Sequence, residues 1–152
     1  MSYEELLKQR IIERTEVTQE EIADLLRVAR RDINTAQRNL IDHDLDWAFA
    51  IAYNSILQLT LAWMNHLGFR PKGEAKHANT FTFLEEALPK ERQPMIKRLQ
   101  RMRQKRNATI YRKAGLVGEK EARDVIDFAG EYYKEIEAIL PEYIVKLSYK
   151  ED

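Results

Sequence analysis

The chain contains no cysteine, few glycines and prolines (five and four), and no long uninterrupted hydrophobic run among its 152 residues. The absence of cysteine excludes a disulfide framework and a thiolate metal site, and it fits a reducing compartment. No window approaches the roughly 20 apolar residues of a membrane span, and the amino-terminal stretch carries no apolar signal segment. We therefore expect a cytoplasmic protein with no membrane contact.

Because glycine and proline are sparse, long segments can form uninterrupted helices, and their apolar residues recur at intervals of three and four rather than two. Ser2 with Glu5 and Thr18 with Glu21 have the spacing of a capping box at a helix start. We predict an all-α fold, an antiparallel bundle of four main helices with short accessory helices. At this length we expect one domain, residues 1–152.

Four long segments have the apolar pattern of bundle helices. The first has a stripe at helical spacing: Ile22, Leu25, Leu26, Ala29, Ile33, Ala36 and Leu40. The segment 45–67 is apolar on nearly every face, which predicts a central helix that ends at Gly68. The third follows Pro94, with a stripe of Met95, Leu99 and Met102. The last has a stripe of Ala122, Val125, Ile126, Ala129, Tyr132, Tyr133, Ile136 and Leu140.

Between the second and third of these segments, we predict a polar loop that contains His77 and then a short helix over 81–88. Thr80 precedes that helix and is a residue type favoured at helix N-caps. The histidines of the chain, His43, His66 and His77, follow no compact metal-ligand spacing. We therefore expect no metal and no cofactor.

The charge of the chain is unevenly distributed, although Lys+Arg and Asp+Glu are equal at 25 each. Residues 90–113 contain ten basic residues and one acidic residue, whereas residues 116–152 contain five basic and ten acidic residues. Within residues 101–115 there is no acid at all. This asymmetry predicts that the two segments pair within the fold, that the basic segment binds an anion, or both.

Arg106 is the basic residue that the helical pattern singles out, because the apolar stripe of the third long segment continues at this position. A core-facing guanidinium is costly unless it is paired, hydrogen-bonded or next to a wet cleft. Two interpretations remain open: Arg106 pairs with an acid of a neighbouring helix, or it lines a phosphate-binding groove with Asn107 and Tyr111. Arg103 and Arg112 complete the set of candidate phosphate-binding residues.

The chain resembles the HEPN (higher eukaryotes and prokaryotes nucleotide-binding) superfamily over most of residues 18–140. The matching features are, in chain order, an Ala-Tyr pair in the central helix (Ala52, Tyr53), the Gly68 that ends it, an Arg-Asn pair near the end of the next long helix (Arg106, Asn107) and an "AGLV…EA" entry to the last helix. The resemblance implies a helical bundle that commonly dimerises and places the Arg-Asn regions of two subunits at a shared cleft.

In the active members of this family, an arginine and a histidine separated by four to six residues cleave RNA without a metal, often in toxin-antitoxin systems. Arg106 matches the arginine, but this chain has Tyr111 in the region where the histidine is expected. Tyrosine, with an unperturbed pKa of about 10, transfers a proton poorly near neutrality. Arg106 and Tyr111 are therefore the candidate catalytic residues of a ribonuclease whose activity is in doubt.

Three functions remain open. In the first, the chain resembles the non-catalytic HEPN proteins and binds nucleotide or nucleic-acid phosphate around Arg106, with a small nucleotidyltransferase or a toxin-antitoxin protein as a possible partner. In the second, it is a metal-independent ribonuclease in which Tyr111 takes an altered role. In the third, it is a helical interaction protein without a ligand. The wide apolar surface of the central helix and its neighbours also predicts a homodimer.

Overall fold

The computed structural model describes residues 2–109 and 117–150, and for residues 105–109 it describes the backbone alone. Over this part of the chain, the four long helices are α2 (Gln19–Ile41), α3 (Leu45–Leu67), α5 (Gln93–Thr109) and α6 (Glu119–Ile139). The short helices are α1 (Tyr3–Lys8), α4 (Lys76–Ala87) and α7 (Glu142–Leu147), and one turn of 3₁₀ helix (Lys90–Arg92) precedes α5. The prediction of an all-α bundle of four main helices is confirmed.

α3 is the centre of the bundle, as its apolar sequence predicts. It packs on both α2 and α6, and its buried residues are Ala48, Phe49, Ala52, Tyr53, Ser55, Ile56, Leu59, Thr60, Ala62, Trp63 and Met64. The Val117 N–H donates to Asp46 near the start of α3, and the hydroxyls of Thr60 and Tyr132 lie 2.9 Å apart further along α3 and α6. These two helices therefore run parallel.

The other two long helices run in the opposite direction to their neighbours. α2 is joined to α3 by a turn at residues 42–44 and packs back along it. α5 runs antiparallel to α6, because Arg98 pairs with Asp124 near the start of α6 while the preceding Arg92 pairs with Glu131 further along. Consecutive long helices thus alternate in direction, as in an up-down-up-down bundle.

The predicted helix boundaries are set by local chemistry. Ser2 and Thr18 each accept a hydrogen bond from the N–H three residues later, and the carboxylates of Glu5 and Glu21 accept the reciprocal bonds from the capping residues. Both capping boxes are therefore confirmed. Gly68 ends α3 in the left-handed conformation, at φ 91°, which glycine adopts without the steric cost of a Cβ.

A two-stranded antiparallel ribbon is a feature that the sequence analysis does not predict. β1 (Ile12–Arg14) pairs with β2 (Phe69–Pro71), with Ile12 opposite Pro71 and Arg14 opposite Phe69. Strands of three residues are too short to show the alternation by which a strand is recognised. The ribbon joins the amino-terminal segment to the chain that leads from α3 to α4.

The predicted start of the short helix before α5 is wrong, because the helix begins five residues earlier than residue 81. α4 begins at Lys76, so that Thr80 lies inside the helix, where its hydroxyl donates to the Lys76 carbonyl instead of capping. His77 accordingly lies in the first turn of α4 and not in a loop. The residue at the N-cap position is Ala75, which has no capping side chain, and the sequence therefore carries no start signal there.

No described helix is both long enough and apolar enough to cross a membrane.

Gly68→Ala and Gly130→Ala should change stability in opposite directions. An alanine at Gly68 meets no atom closer than the Thr15 carbonyl oxygen at 4.0 Å, so its cost is the left-handed φ alone, about 1 kcal/mol in the free energy of unfolding. At Gly130, inside α6, an added Cβ meets no heavy atom within 4 Å apart from the backbone of its own helix turn, and we expect a gain of up to about 1 kcal/mol. Urea unfolding of the two variants measures both effects, and a stabilised Gly68→Ala chain would contradict the first.

Candidate functional site

Arg103 is a half-buried cation at the edge of the core-facing side of α5. The buried stripe of this helix is Ile96, Leu99 and Met102, and Arg103 follows it directly. Met95, which the sequence analysis placed in the stripe, is only partly buried. Arg98 pairs with Asp124 at 2.9 Å, whereas Arg103 forms no ion pair with any residue in the described part of the chain. Its charge is therefore uncompensated within that part.

The Arg103 side chain opens onto a groove between α3, α4 and α5, which we call the Arg103 groove. It has a volume of about 310 Å³ and is lined by Phe49, Ala50, Tyr53, Asn54, Leu57, His77 and Arg103. α3 contributes residues at spacings of three and four, because these share one face of a helix. α4 contributes His77 from its first turn, and α5 contributes Arg103. Three helices thus meet at one polar depression.

Tyr53 forms the inner wall of the Arg103 groove. Its side chain is only 7% exposed, and its ring packs against Phe49, Phe81 and His77 at centroid distances of 6.0, 5.7 and 6.1 Å. Its hydroxyl is buried and has no hydrogen-bond partner among the described residues. Burial raises the pKa of Tyr53, although the nearby charge of Arg103 acts in the opposite direction. Tyr53 therefore keeps its proton, and its buried hydroxyl remains a donor without a partner among the described residues.

His77 lies at the rim of the Arg103 groove, where it is exposed to solvent on one side. Partial burial lowers its pKa below the ordinary value of 6.5, and the positive charge of Arg103 lowers it further. Its imidazole is therefore neutral at pH 7, with one nitrogen that can accept a proton or a hydrogen bond and one that can donate.

Asn54 is oriented by a buried carboxylate on α2. Asp32 is 7% exposed and accepts a hydrogen bond of 2.9 Å from the Asn54 side-chain nitrogen and one of 3.0 Å from Arg31. Because the amide nitrogen of Asn54 is used by Asp32, its amide oxygen is left as an acceptor at the groove. The groove thus combines a cation, a neutral imidazole and an amide oxygen, with the Tyr53 hydroxyl buried beneath its surface. The cation and the imidazole N–H suit phosphate oxygens, and the amide oxygen can accept from a hydroxyl or amine group of a ligand.

Of the five predicted phosphate-binding residues, Arg103 has its side chain in the described part of the structure, and it lines the groove. Arg106 and Asn107 lie in the last turn of α5, and their side chains are not described. Tyr111 and Arg112 lie outside the described residues. The roles of these four residues stay predictions.

The sequence analysis missed Asn54 and His77 as residues of this groove. Asn54 carries a usable signal, because it is a polar residue in the middle of the apolar segment that became α3. Asp32 gives a similar signal, because it falls beside Ile33 on the apolar side of α2. His77 carries none, since its position depends on where α4 begins. Within residues 2–109 and 117–150, no three His, Asp or Glu side chains come together as a metal site.

A comparison with protein-family models matches residues 22–139 to the HEPN domain. The match runs from the first turns of α2 to the end of α6 and covers well over half of the chain. The chain belongs to the HEPN family. No curated protein and no solved structure matches the chain significantly. At the level of the family, membership indicates a function related to nucleotides or RNA.

His77→Gln should make the protein less sensitive to mild acid. The pKa of His77 is lower in the folded chain than in the unfolded chain, so the unfolded chain binds the extra proton. The resulting penalty on folding is absent well above pH 6.5 and grows as the pH falls below that value. We expect the free energy of unfolding to drop less between pH 7.5 and 5.5 in His77→Gln than in the wild type.

Urea unfolding at the two pH values measures this difference. His66→Gln is the matched control, because His66 lies in the last turn of α3 and does not line the Arg103 groove. An unchanged acid sensitivity in His77→Gln would contradict the assignment.

Proposed function

We propose that this HEPN protein binds the phosphate group of a nucleotide or of RNA in the Arg103 groove, and that it does so without cleaving its ligand. The observation that carries the proposal is Arg103 itself, a half-buried guanidinium that has no ion-pair partner in the described part of the chain and faces a groove. A guanidinium in that setting gains from an anion with planar, forked oxygens, and phosphate is such an anion.

The surroundings of Arg103 support a phosphate ligand. The described residues that line the groove with Arg103 include no acid, so that an anion meets no repulsion from them. Partial burial is the main cause of the lowered pKa of His77, and the positive charge of Arg103 lowers that pKa further. The buried hydroxyl of Tyr53 is a donor without a partner among the described residues. An anion in the groove would therefore be held by the charge of Arg103 and the N–H of the neutral His77 imidazole together.

Arg106, Asn107, Tyr111 and Arg112 are proposed as further contacts to the ligand. They follow Arg103 within or just after α5, so the basic segment would continue the positive surface beyond the groove. This part of the proposal rests on the sequence and on the family resemblance, since these side chains are outside the described structure.

Arg103→Ala should weaken binding of AMP and of a short single-stranded RNA by about tenfold or more, because a charge-assisted contact from a partly buried site is lost. Arg101→Ala is the matched control, because Arg101 is two residues away on the same helix but is exposed and does not line the groove. Calorimetry with AMP and fluorescence anisotropy with labelled RNA measure the affinities. Equal losses in the two variants would show general charge attraction and would contradict the proposal.

Arg106→Ala tests the arginine that matches the family motif. If Arg106 contacts phosphate, the variant should unfold at the same urea concentration as the wild type and bind RNA more weakly. If Arg106 is a structural ion-pair partner, stability should fall instead and the affinity of the folded fraction should be unchanged. The two measurements together separate the binding interpretation from that of an interaction protein without a ligand.

Metal-independent RNA cleavage is a second candidate function, and the position of His77 favours it. The chain lacks the histidine of the family motif, but α4 brings a neutral histidine to the groove that Arg103 lines. Such an imidazole could accept the proton of a ribose 2′-hydroxyl as its oxygen bonds to phosphorus. The bond to the 5′ oxygen then breaks, that oxygen takes a proton from water, and the cationic groups stabilise the charged transition state.

A single-turnover RNA cleavage assay without metal decides between binding and cleavage. The informative variants are His77→Gln, Arg106→Ala and Tyr111→Phe. Cleavage that depends on His77 and not on Tyr111 would assign the proton transfer to α4, whereas dependence on Tyr111 would assign it to the end of the basic segment. Absence of cleavage in the wild type, with Arg103-dependent binding, supports the non-catalytic proposal.

A homodimer and a nucleotidyltransferase or toxin-antitoxin partner stay part of the proposal. The turn between α2 and α3 is flanked by two exposed apolar side chains, Ile41 at 83% and Trp47 at 64%, which supports association through this end of the bundle. Sedimentation at micromolar concentration should give twice the monomer mass of 18.0 kDa. A monomer under these conditions would exclude a site shared between two subunits.

A further inference from the structure

A second depression continues the Arg103 groove along α3, and we call it the distal groove. Its volume is about 400 Å³, and its walls include Gln58, Leu61, Lys76 and Thr80. Asn54, Leu57 and His77 line both grooves. The two depressions therefore adjoin along one face of α3 and form a single track from α5 to the β-ribbon.

The track is longer than one nucleotide. The residues of α3 that line it run from Phe49 to Leu61. With a rise of 1.5 Å per residue, these twelve steps along the helix amount to about 18 Å. A stacked strand of nucleic acid rises by about 3.4 Å per nucleotide, so that this length holds two nucleotides even when their backbone is extended.

The charges of the track lie in two separate places. Arg103 is the charged residue that the described part of the chain contributes to the first groove, whereas Lys76, Arg70 and the acidic Glu13 line the distal groove. Arg70, also at the distal groove, pairs with Glu13 at 2.8 Å, whereas Lys76 forms no ion pair with a described residue. Lys76 lies in the first turn of α4, which has no acidic residue and no side-chain cap, so the free N–H groups of that turn add to the positive potential.

The floor of the track has the character of a base or ribose site. Leu57 and Leu61 are partly buried and give it an apolar floor. Asn54 and Gln58 place side-chain amides beside that floor, and the bond to Asp32 leaves the amide oxygen of Asn54 as an acceptor. An apolar surface with a few polar groups at its edge is suited to the face and edge of a nucleobase.

We propose that the track binds two consecutive nucleotides of a single-stranded nucleic acid, with one phosphate at Arg103, the next at Lys76 and a nucleoside between them over Leu57 and Leu61. This inference rests on the proposed function, because it needs the phosphate site at Arg103. To that function the inference adds the size of the ligand and a second phosphate position. We therefore expect the protein to bind an oligonucleotide more tightly than a mononucleotide.

The test compares AMP with the 5′-phosphorylated dinucleotide pApA by calorimetry on the full chain. The wild type should bind pApA about tenfold or more tightly than AMP, since pApA alone has a second phosphate for Lys76. Lys76→Ala should remove most of that preference, because the affinity for pApA should fall far more than the affinity for AMP. Gln58→Ala should weaken both ligands, because either nucleoside can reach the amide at position 58.

Lys97→Ala is the matched control, because Lys97 is an exposed lysine of α5 that lines neither groove. Loss of the pApA preference in this variant to the same extent as in Lys76→Ala would overturn the assignment of the second phosphate. Equal affinity of the wild type for AMP and pApA, with both weakened in Arg103→Ala, would overturn the two-nucleotide track and leave the proposed function intact. Binding that does not depend on Arg103 at all would overturn both.

Discussion

The burial of α3 is the constraint on which the rest of the structure depends. Its sequence is apolar on nearly every face, so α2, α6 and α4 must cover it, and they leave a single strip in contact with solvent. That strip carries Asn54, Gln58 and the partly buried Leu57 and Leu61. The floor of both grooves is therefore the strip of α3 that the neighbouring helices leave uncovered. The helices that border this strip determine which side chains surround it.

Much of the fold is readable from the sequence because its determinants are local. Capping boxes, the glycine at the end of α3 and the apolar stripes each act within a few residues, and each predicts its helix correctly. The site is less readable because it is assembled from three helices. Arg103 is among the candidates predicted from the charge of their segment, and that role stays a prediction, whereas the position of His77 depends on a helix start that Ala75 does not signal. The contact between Asn54 and Asp32 joins residues on two different helices, which no spacing rule can pair.

The charge asymmetry of the sequence has two explanations: the basic and acidic segments pair within the fold, or the basic segment binds an anion. Pairing within the fold accounts for one side of the basic segment. Arg92 pairs with Glu131 and Glu135, and Arg98 pairs with Asp124, so the basic segment is held to the acidic segment that forms α6. These pairs are partly exposed, and each is worth little by itself. Their effect is positional, because they fix which side of α5 faces α6 and therefore which side remains for α3 and α4.

Arg103 lies on that remaining side, where the described structure offers no acid to pair with it. A half-buried charge without a partner lowers the stability of the folded chain, and beside the larger effect of burial the charge of Arg103 also lowers the pKa of His77. A fold selected for stability alone would place an acid or an apolar residue here, since either removes the penalty. In the binding function that we propose, an anion in the groove would recover this penalty, because the charge that destabilises the free protein would stabilise the complex. The second explanation of the asymmetry, an anion bound by the basic segment, is the one that we propose for the charge that the first leaves uncompensated.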